Sequence, residues 1–260
     1  MHFTKLEQIT SSYGHVYLSP HLDDAALSCG GTIAAQSAAG EDVLVITLCT
    51  AIPESEAVRG PLAEEFHGDW NLPHDQAVTA RLNEDLAAMD RMGCDSLWLG
   101  LLDSIYRMPF AYDTREKLFG RPLPDDPLYT SLRDVLPRLR QMFPEARFYV
   151  PMGIGYHVDH QIVYDVALEY LIDQMALYED VYYVLLAGER ERRMAELKQP
   201  LQAQYIDISA SIDRKVAAIN CYASQVPELF GGSEAMERDI RGYASSLAEH
   251  KGHFAERVWV

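Results

Sequence analysis

The residues with the most chemistry in this 260-residue chain fall into two short clusters, Ser19-Pro20-His21-Leu22-Asp23-Asp24-Ala25 and Gly153-Ile154-Gly155-Tyr156-His157-Val158-Asp159-His160. In the first, His21 and Asp24 follow a short apolar run. A strand-to-helix turn there bends both side chains over the end of a sheet, where they can converge on one metal ion. The adjacent Asp23 then points elsewhere. Asp23 and Asp24 also suit helix N-capping, in which a carboxylate accepts the free N–H groups of a first helical turn. The second cluster follows another apolar run and opens another helix-length segment, so it occupies the same topological position. Imidazoles and carboxylates crowded into one cleft are costly unless a cation or a proton-transfer role compensates. Capping alone accounts poorly for both clusters. His21, Asp24 and His160 make a two-His, one-Asp set that leaves a fourth position for water, as catalytic zinc requires. The same donors suit Fe(II) and other first-row divalent metals.

Positioning these groups requires strands that end beside one another. The runs 16–18, 43–48, 97–99, 148–150 and 181–186 are short and rich in β-branched or aromatic residues, and they read as buried strands. Helix-length segments lie between them at 25–39, 76–92, 131–142 and 161–175. Residues 204–208 read as a further strand, followed by helical 212–225 and 234–249. The alternation implies an α/β fold, a single-domain Rossmann-like three-layer sandwich with a mostly parallel sheet, spanning residues 1–260. Ligands of such sheets bind beyond the carboxyl ends of the strands where strand order reverses. If the strands at 16–18 and 148–150 flank that crevice, the two clusters face each other.

Two Pro-containing stretches, 50–75 and 107–127, read as surface excursions walling the cleft, with Trp70, Tyr106, Arg107 and Tyr112 offering apolar faces and hydrogen-bond donors. Gly30 and Gly31 suit close packing of the first helix better than phosphate binding, because no GxGxxG follows the first strand. The segment 178–180 reads as a solvated turn.

Composition narrows the partners. Hydrophobic residues make up 48% and charged residues 23%, which is ordinary globular usage. The net charge of −17 repels phosphate backbones, so neither nucleic acid nor an anionic membrane is an expected partner. No stretch approaches the roughly 18 apolar residues of a membrane span, and the first residues lack a signal-peptide core, so a cytoplasmic protein is expected. Cys29, Cys49, Cys94 and Cys221 form no CxxC pair and are expected as buried thiols.

The segments Pro20-His21-Leu22-Asp23-Asp24 and His157-Val158-Asp159-His160 are similar to the two signatures of the PIG-L/LmbE-like N-acetylglucosaminyl deacetylase family. The chain resembles that family in length and α/β order throughout. The resemblance implies that His21, Asp24 and His160 bind zinc while Asp23 acts as general base on the water. It further implies that His157 stabilises the oxyanion or donates a proton, with Asp159 orienting it. A carboxylate partner favours the charged imidazole while a nearby zinc acts in the opposite sense, a balance the sequence leaves open, and the working expectation is that His157 acts as a cationic donor. Weaker similarity covers Arg81 and Glu84, Asp103, and residues 215–225. Arg81, Asp103 and Tyr156 are the candidate substrate contacts, although Arg81 with Glu84 also reads as an exposed ion pair. The chain departs from the common family pattern at Leu22 and Ala25, and at Tyr156, where a small residue is usual.

The implied substrate is an N-acyl, most simply N-acetyl, amino sugar or glycoconjugate. The alternatives are a metal-dependent hydrolase of a non-sugar amide or ester, and a non-catalytic sugar-binding protein on the same fold. A binder has no need of a carboxylate left over beside a metal, so Asp23 favours the enzyme. Self-association into a homo-oligomer stays open.

Overall fold

A computed structural model describes every residue except 55–59, 70–76 and 198, so Trp70 and the start of the expected helix at 76 lie outside the described residues. Eight strands form one sheet: β1 (His2–Phe3), β2 (His15–Ser19), β3 (Val43–Thr47), β4 (Asp95–Trp98), β5 (Arg147–Pro151), β6 (Met175–Tyr178), β7 (Ala203–Asp207) and β8 (Ala255–Trp259). Their order across the sheet is β1-β4-β3-β2-β5-β6-β8-β7. From β1 to β6 all pairings are parallel, and β8 pairs antiparallel with both β6 and β7. The expected α/β architecture with a mostly parallel sheet is therefore the one observed. Strand order reverses between β2 and β5, which pair directly through His15 with Arg147 and Tyr17 with Tyr149. The two clusters leave this adjacent pair of strand ends, so the expected crevice exists.

The central strands are buried on both faces because their residues are continuously apolar. Val16, Leu18, Leu44, Ile46 and Val150 are all fully inaccessible. Helices cover the faces: α1 (Asp24–Ala38), α2 (Pro61–Asp69), α3 (Ala77–Met92), α4 (Ser104–Arg107), α5 (Arg115–Leu118), α6 (Pro127–Met142), α7 (Val158–Tyr170), α8 (Glu189–Glu196), α9 (Ile212–Ile219), α10 (Val226–Phe230) and α11 (Ser233–Leu247). α1 is buried from Asp24 through Ala34, and its glycines permit that closeness. A Cβ on Gly31 would lie 2.7 Å from the Ile208 Cδ1 atom, and one on Gly30 would lie 3.3 Å from the Lys215 side chain. Gly30 and Gly31 thus serve packing, as expected.

Several boundaries differ from the sequence reading. The strand expected at 181–186 is a 3₁₀ turn at Tyr183–Leu185, and the real strand β6 occupies Met175–Tyr178. α7 stops at Tyr170, short of the expected 175. α9 ends at Ile219, and α6 begins at Pro127 behind the Asp126 N-cap. The short β1 and the C-terminal β8 were not anticipated. The excursions are not plain loops either. They carry α2 and α5, whose Leu62 and Leu118 form a satellite apolar cluster with Ile105 of the neighbouring α4, Ala77, Tyr112 and Val158. Cys29, Cys49 and Cys94 are buried thiols, whereas Cys221 is only partly buried.

Candidate active site

Beyond β2 the chain turns sharply into α1. Ser19 pins the turn, its hydroxyl donating to the His21 carbonyl at 2.8 Å and accepting from the Ala25 N–H at 3.1 Å. The Asp24 Oδ2 atom accepts from the His21 N–H at 2.8 Å. Asp23 sits at the N-cap position, but its side chain makes no capping bond and its φ is 133°. A non-glycine residue there carries strain of roughly 1–3 kcal/mol. Each fully buried core side chain of α1, such as Leu27 or Ile33, contributes a comparable ~1.5–3 kcal/mol, enough to hold the turn.

Three donor atoms meet above the strand ends. His21 Nδ1 lies 3.3 Å from Asp24 Oδ2, His160 Nε2 lies 3.3 Å from the same oxygen, and the two nitrogens are 3.2 Å apart. Tetrahedral ligands held about 2.0–2.1 Å from a zinc ion stand about 3.3–3.4 Å from one another. The donor set fits such an ion in both chemistry and spacing. Electrostatics agree, because despite burial the surrounding carboxylates raise the His21 pKa well above its usual value and that of His160 to about 9. The pocket is built to hold positive charge. His21, His157 and His160 also form a group able to hold a metal, with donor atoms within 4.8 Å of one another. The triangle containing Asp24 is tighter, and His157 is committed elsewhere on one edge.

Each histidine of the triangle is held from behind. The His21 Nε2–H donates to Asp159 Oδ2 at 3.0 Å, and the His160 Nδ1–H donates to Asp180 Oδ1 at 2.6 Å. These bonds leave His21 Nδ1 and His160 Nε2 as lone-pair donors, the arrangement that orients metal-binding imidazoles. Asp180 also accepts from the Ile154 N–H at 2.8 Å, and its side chain is 1% exposed. Sequence reasoning missed it by treating 178–180 as a solvated turn. With β6 correctly placed, Asp180 falls two residues past a strand end, on the same rim of the sheet as the two clusters.

His157 and Asp159 depart from expectation. The Asp159 carboxylate faces His21 and Arg107, and it is the Asp159 backbone N–H that donates to His157 Nδ1 at 3.2 Å. Burial, followed by the positive charge of His21, drives the His157 pKa well below its ordinary value. His157 is thus a neutral imidazole with Nε2–H as its donor, rather than the expected cation. Asp23 lies beside the triangle, where burial raises its pKa to about 7 against the opposing pull of Arg81. Arg81 is itself buried, donates to the Leu22 carbonyl at 3.0 Å and stands 3.7 Å from Asp23 Oδ2. It is not an exposed partner of Glu84, which binds the N–H and hydroxyl of Ser224.

A cavity of about 480 Å³ opens over these groups, lined by His21, Asp23, Asp24, Arg81, Asp103, His157 and His160. Asp103 also caps α4 through the Ile105 N–H. Tyr156, expected to touch substrate, is not among the lining residues. Its positive φ of 64° turns the ring under Arg192, whose guanidinium sits 4.0 Å above it. Arg192 lines the cavity in its place. The excursions do wall the cavity, but through Phe66, Arg115, Leu118 and Phe119. Of the residues expected there, Tyr106 pairs with His67, while Arg107 and Tyr112 point to Asp126.

With this geometry in view, the comparisons are concordant. Residues 16–171 match the PIG-L family, described as GlcNAc-PI de-N-acetylase. A 2'-N-acetylparomamine deacetylase from Niallia circulans is 28% identical, the alignment covering 90% of this chain and 88% of that protein. The zinc-inhibited form of teicoplanin deacetylase Orf2 superposes with a TM-score of 0.78 at 26% identity, covering 96% of this chain and 97% of that one. The A40926 pseudoaglycone deacetylase Dbv21 superposes with a TM-score of 0.73 at 26% identity, covering 94% and 95%. Fold, site and relatives together define a hydrolytic N-deacetylase. More narrowly, the chain belongs to the PIG-L family. Among the described residues no helix is long and apolar enough to cross a membrane.

Proposed function

We propose that the protein removes an acetyl group from the nitrogen of an amino sugar or its glycoconjugate, using zinc held by His21, Asp24 and His160. The observation that carries the reading is the donor triangle with a non-ligating, strained carboxylate, Asp23, beside it in the same cavity. The named activities of the paromamine and teicoplanin relatives support the choice of an N-acetylated amino sugar.

A zinc ion at the triangle would supply Lewis acidity, polarising the amide carbonyl and making water nucleophilic near neutral pH. Asp23 accepts a proton from the attacking water, and its pKa near 7 suits a base working at that pH. The neutral His157 donates its Nε2–H to the carbonyl oxygen as negative charge builds there. Asp23 then passes the proton to the departing nitrogen, so amide and water become acetate and free amine. Arg81 holds the backbone at Leu22 and restrains the Asp23 carboxylate. Phe119, Tyr182 and Tyr183 offer faces for a sugar ring, while Asp103 and Arg192 offer hydrogen bonds.

The test is a screen of N-acetyl amino sugars and their glycosides for release of free amine, with zinc-loaded and chelator-treated enzyme. Asp23→Asn should keep the metal and the fold yet lose about 10²- to 10⁴-fold in turnover. Turnover within a few-fold of wild type would remove Asp23 as the base. Preferential cleavage of a non-sugar acetamide would overturn the substrate class.

A further inference from the structure

Arg107 lies behind the site instead of lining it. Its Nε and Nη2 atoms grip the two Asp126 oxygens at 2.7 and 2.9 Å, and Nη1 donates to the Leu102 carbonyl at 2.6 Å. Nη2 also donates to Asp159 Oδ1 at 2.6 Å. The side chains of Asp126 and Asp159 are both 0% exposed. Asp126 is fixed in turn by the Tyr112 hydroxyl at 3.0 Å and by the Leu128 N–H of the first turn of α6 at 2.8 Å. The second Asp159 oxygen accepts from the His21 Nε2–H at 3.0 Å and from the Ser104 N–H at 3.2 Å.

A continuous set of buried bonds therefore runs from the end of the 107–127 excursion, through Asp126, Arg107 and Asp159, to His21. A buried carboxylate without a cation is strongly unfavourable, and Arg107 is the cation that Asp159 has. The planar fork also fixes direction, because an arginine gripping one carboxylate along two bonds has little freedom left to swing away from the second. Asp126 takes part of the guanidinium's charge, so Asp159 stays anionic enough to hold the His21 N–H. Packing of the excursion alone requires none of these bonds to reach His21.

We propose that Arg107, clamped by Asp126, is a positioning residue for the metal site. It fixes the Asp159 carboxylate, which sets the ring orientation and tautomer of His21, and so ties the order of the 107–127 excursion to metal affinity. The inference rests on His21 being a ligand.

The experiment measures zinc affinity by competition with a chromogenic chelator for wild type, His21→Ala, Arg107→Gln and Asp126→Asn. Arg140→Gln serves as a control, since Arg140 pairs at the surface with Asp173. A ¹⁵N–¹H spectrum of the histidine side chains follows the His21 Nε2–H and the His160 Nδ1–H separately. Both clamp variants should lose zinc affinity, by up to the about 10- to 100-fold usual when a ligand's direct outer partner, here Asp159, is removed. The His21 N–H signal should broaden or shift upfield while the His160 signal, held by Asp180, stays in place. Arg140→Gln should bind zinc as wild type does. Should Arg107→Gln fail to fold, Asp126→Asn gives the same reading. Wild-type affinity in the folded clamp variants, with affinity lost in His21→Ala, overturns the inference alone. Equal disturbance of both histidine signals overturns it too, since that marks general loosening. Retention of zinc by His21→Ala removes the ligand assignment and the inference with it.

Discussion

Replacing Asp180 by Asn tests the metal site through a residue that touches no substrate. Asp180 accepts two hydrogen bonds in a buried environment, from His160 Nδ1–H at 2.6 Å and from the Ile154 N–H at 2.8 Å. An amide has the same shape but only one acceptor oxygen. If that oxygen stays with His160, the NH₂ group faces the Ile154 N–H, and a buried donor is left without an acceptor at a cost of about 1–3 kcal/mol. If the amide flips, its NH₂ group faces His160 Nδ1 and favours the tautomer with hydrogen on Nε2, the atom turned toward His21 and Asp24. That tautomer has no lone pair to give a metal. Either outcome weakens binding, and about 1.4–2.7 kcal/mol corresponds to the 10- to 100-fold loss expected when an outer partner of a metal ligand is removed. Chelator competition gives the affinity, and ¹⁵N shifts of His160 report the tautomer. Zinc affinity within threefold of wild type with the His160 tautomer unchanged would refute the reasoning.

Three further outcomes follow from the same geometry. Asp23 must be ionised to act, burial raises its pKa, and the Arg81 cation opposes that rise, so Arg81→Met should move the acidic limb of kcat/KM to higher pH; a limb that stays put or moves down in the pH–rate profile contradicts this. Asp85 is buried against Trp98 and Tyr222, and burial lifts its pKa to about 6. Its folded-state pKa lies above the unfolded value, so its contribution is fully present below about pH 4 and lost as pH rises through 6, a change of about 3 kcal/mol. A neutral amide in place of this carboxylate can accept from the Trp98 N–H and donate to the Tyr222 hydroxyl oxygen, so urea titrations should show Asp85→Asn gaining stability relative to wild type at pH 8 but not at pH 4. Gly155 has a φ of 84°, and a Cβ there would lie 2.2 Å from the Tyr183 ring; Gly155→Ala should therefore lose about 1–3 kcal/mol or more, seen as a melting point several degrees lower.

The central part of the fold was legible because its signals are redundant. β2, β3 and β5 are continuous apolar runs, and α1 and α3 separate them at helix length, so period and length agree. Where those signals conflicted, the reading slipped. Met175-Ala176-Leu177-Tyr178 has no β-branched residue and looks like the tail of the preceding helix, whereas Val181-Tyr182-Tyr183-Val184 has strong strand propensity. Tertiary context decided the other way: β6 pairs along β5 from Phe148 with Met175 to Pro151 with Tyr178. The aromatic run then turns over the cavity, with Tyr183 packed on Gly155. β8 was missed because its partners, β6 and β7, lie far off in sequence and its own Glu256 and Arg257 mask the alternation.

The site divides along a physical line. His21, Asp23, Asp24, His157 and His160 come from strand-to-helix connections and the first helical turns that follow them, so two short sequence clusters exposed them. The groups that tune them come from anywhere in the chain. Asp180 reaches His160 across 20 residues and Arg107 reaches Asp159 across 52, and neither carries a local mark that separates it from a surface charge. Asp159 shows the same limit within a recognised cluster. The family resemblance implied a direct carboxylate–imidazole pair with His157, yet α7 turns the carboxylate toward His21, 138 residues away in sequence. Charge balance could have raised the alarm, since a cluster this rich in carboxylates needs buried cations beyond a single metal ion. Arg81 and Arg107 are buried cations of this kind, one restraining the proposed base and the other backing a proposed ligand, and both act only because the fold removes them from water.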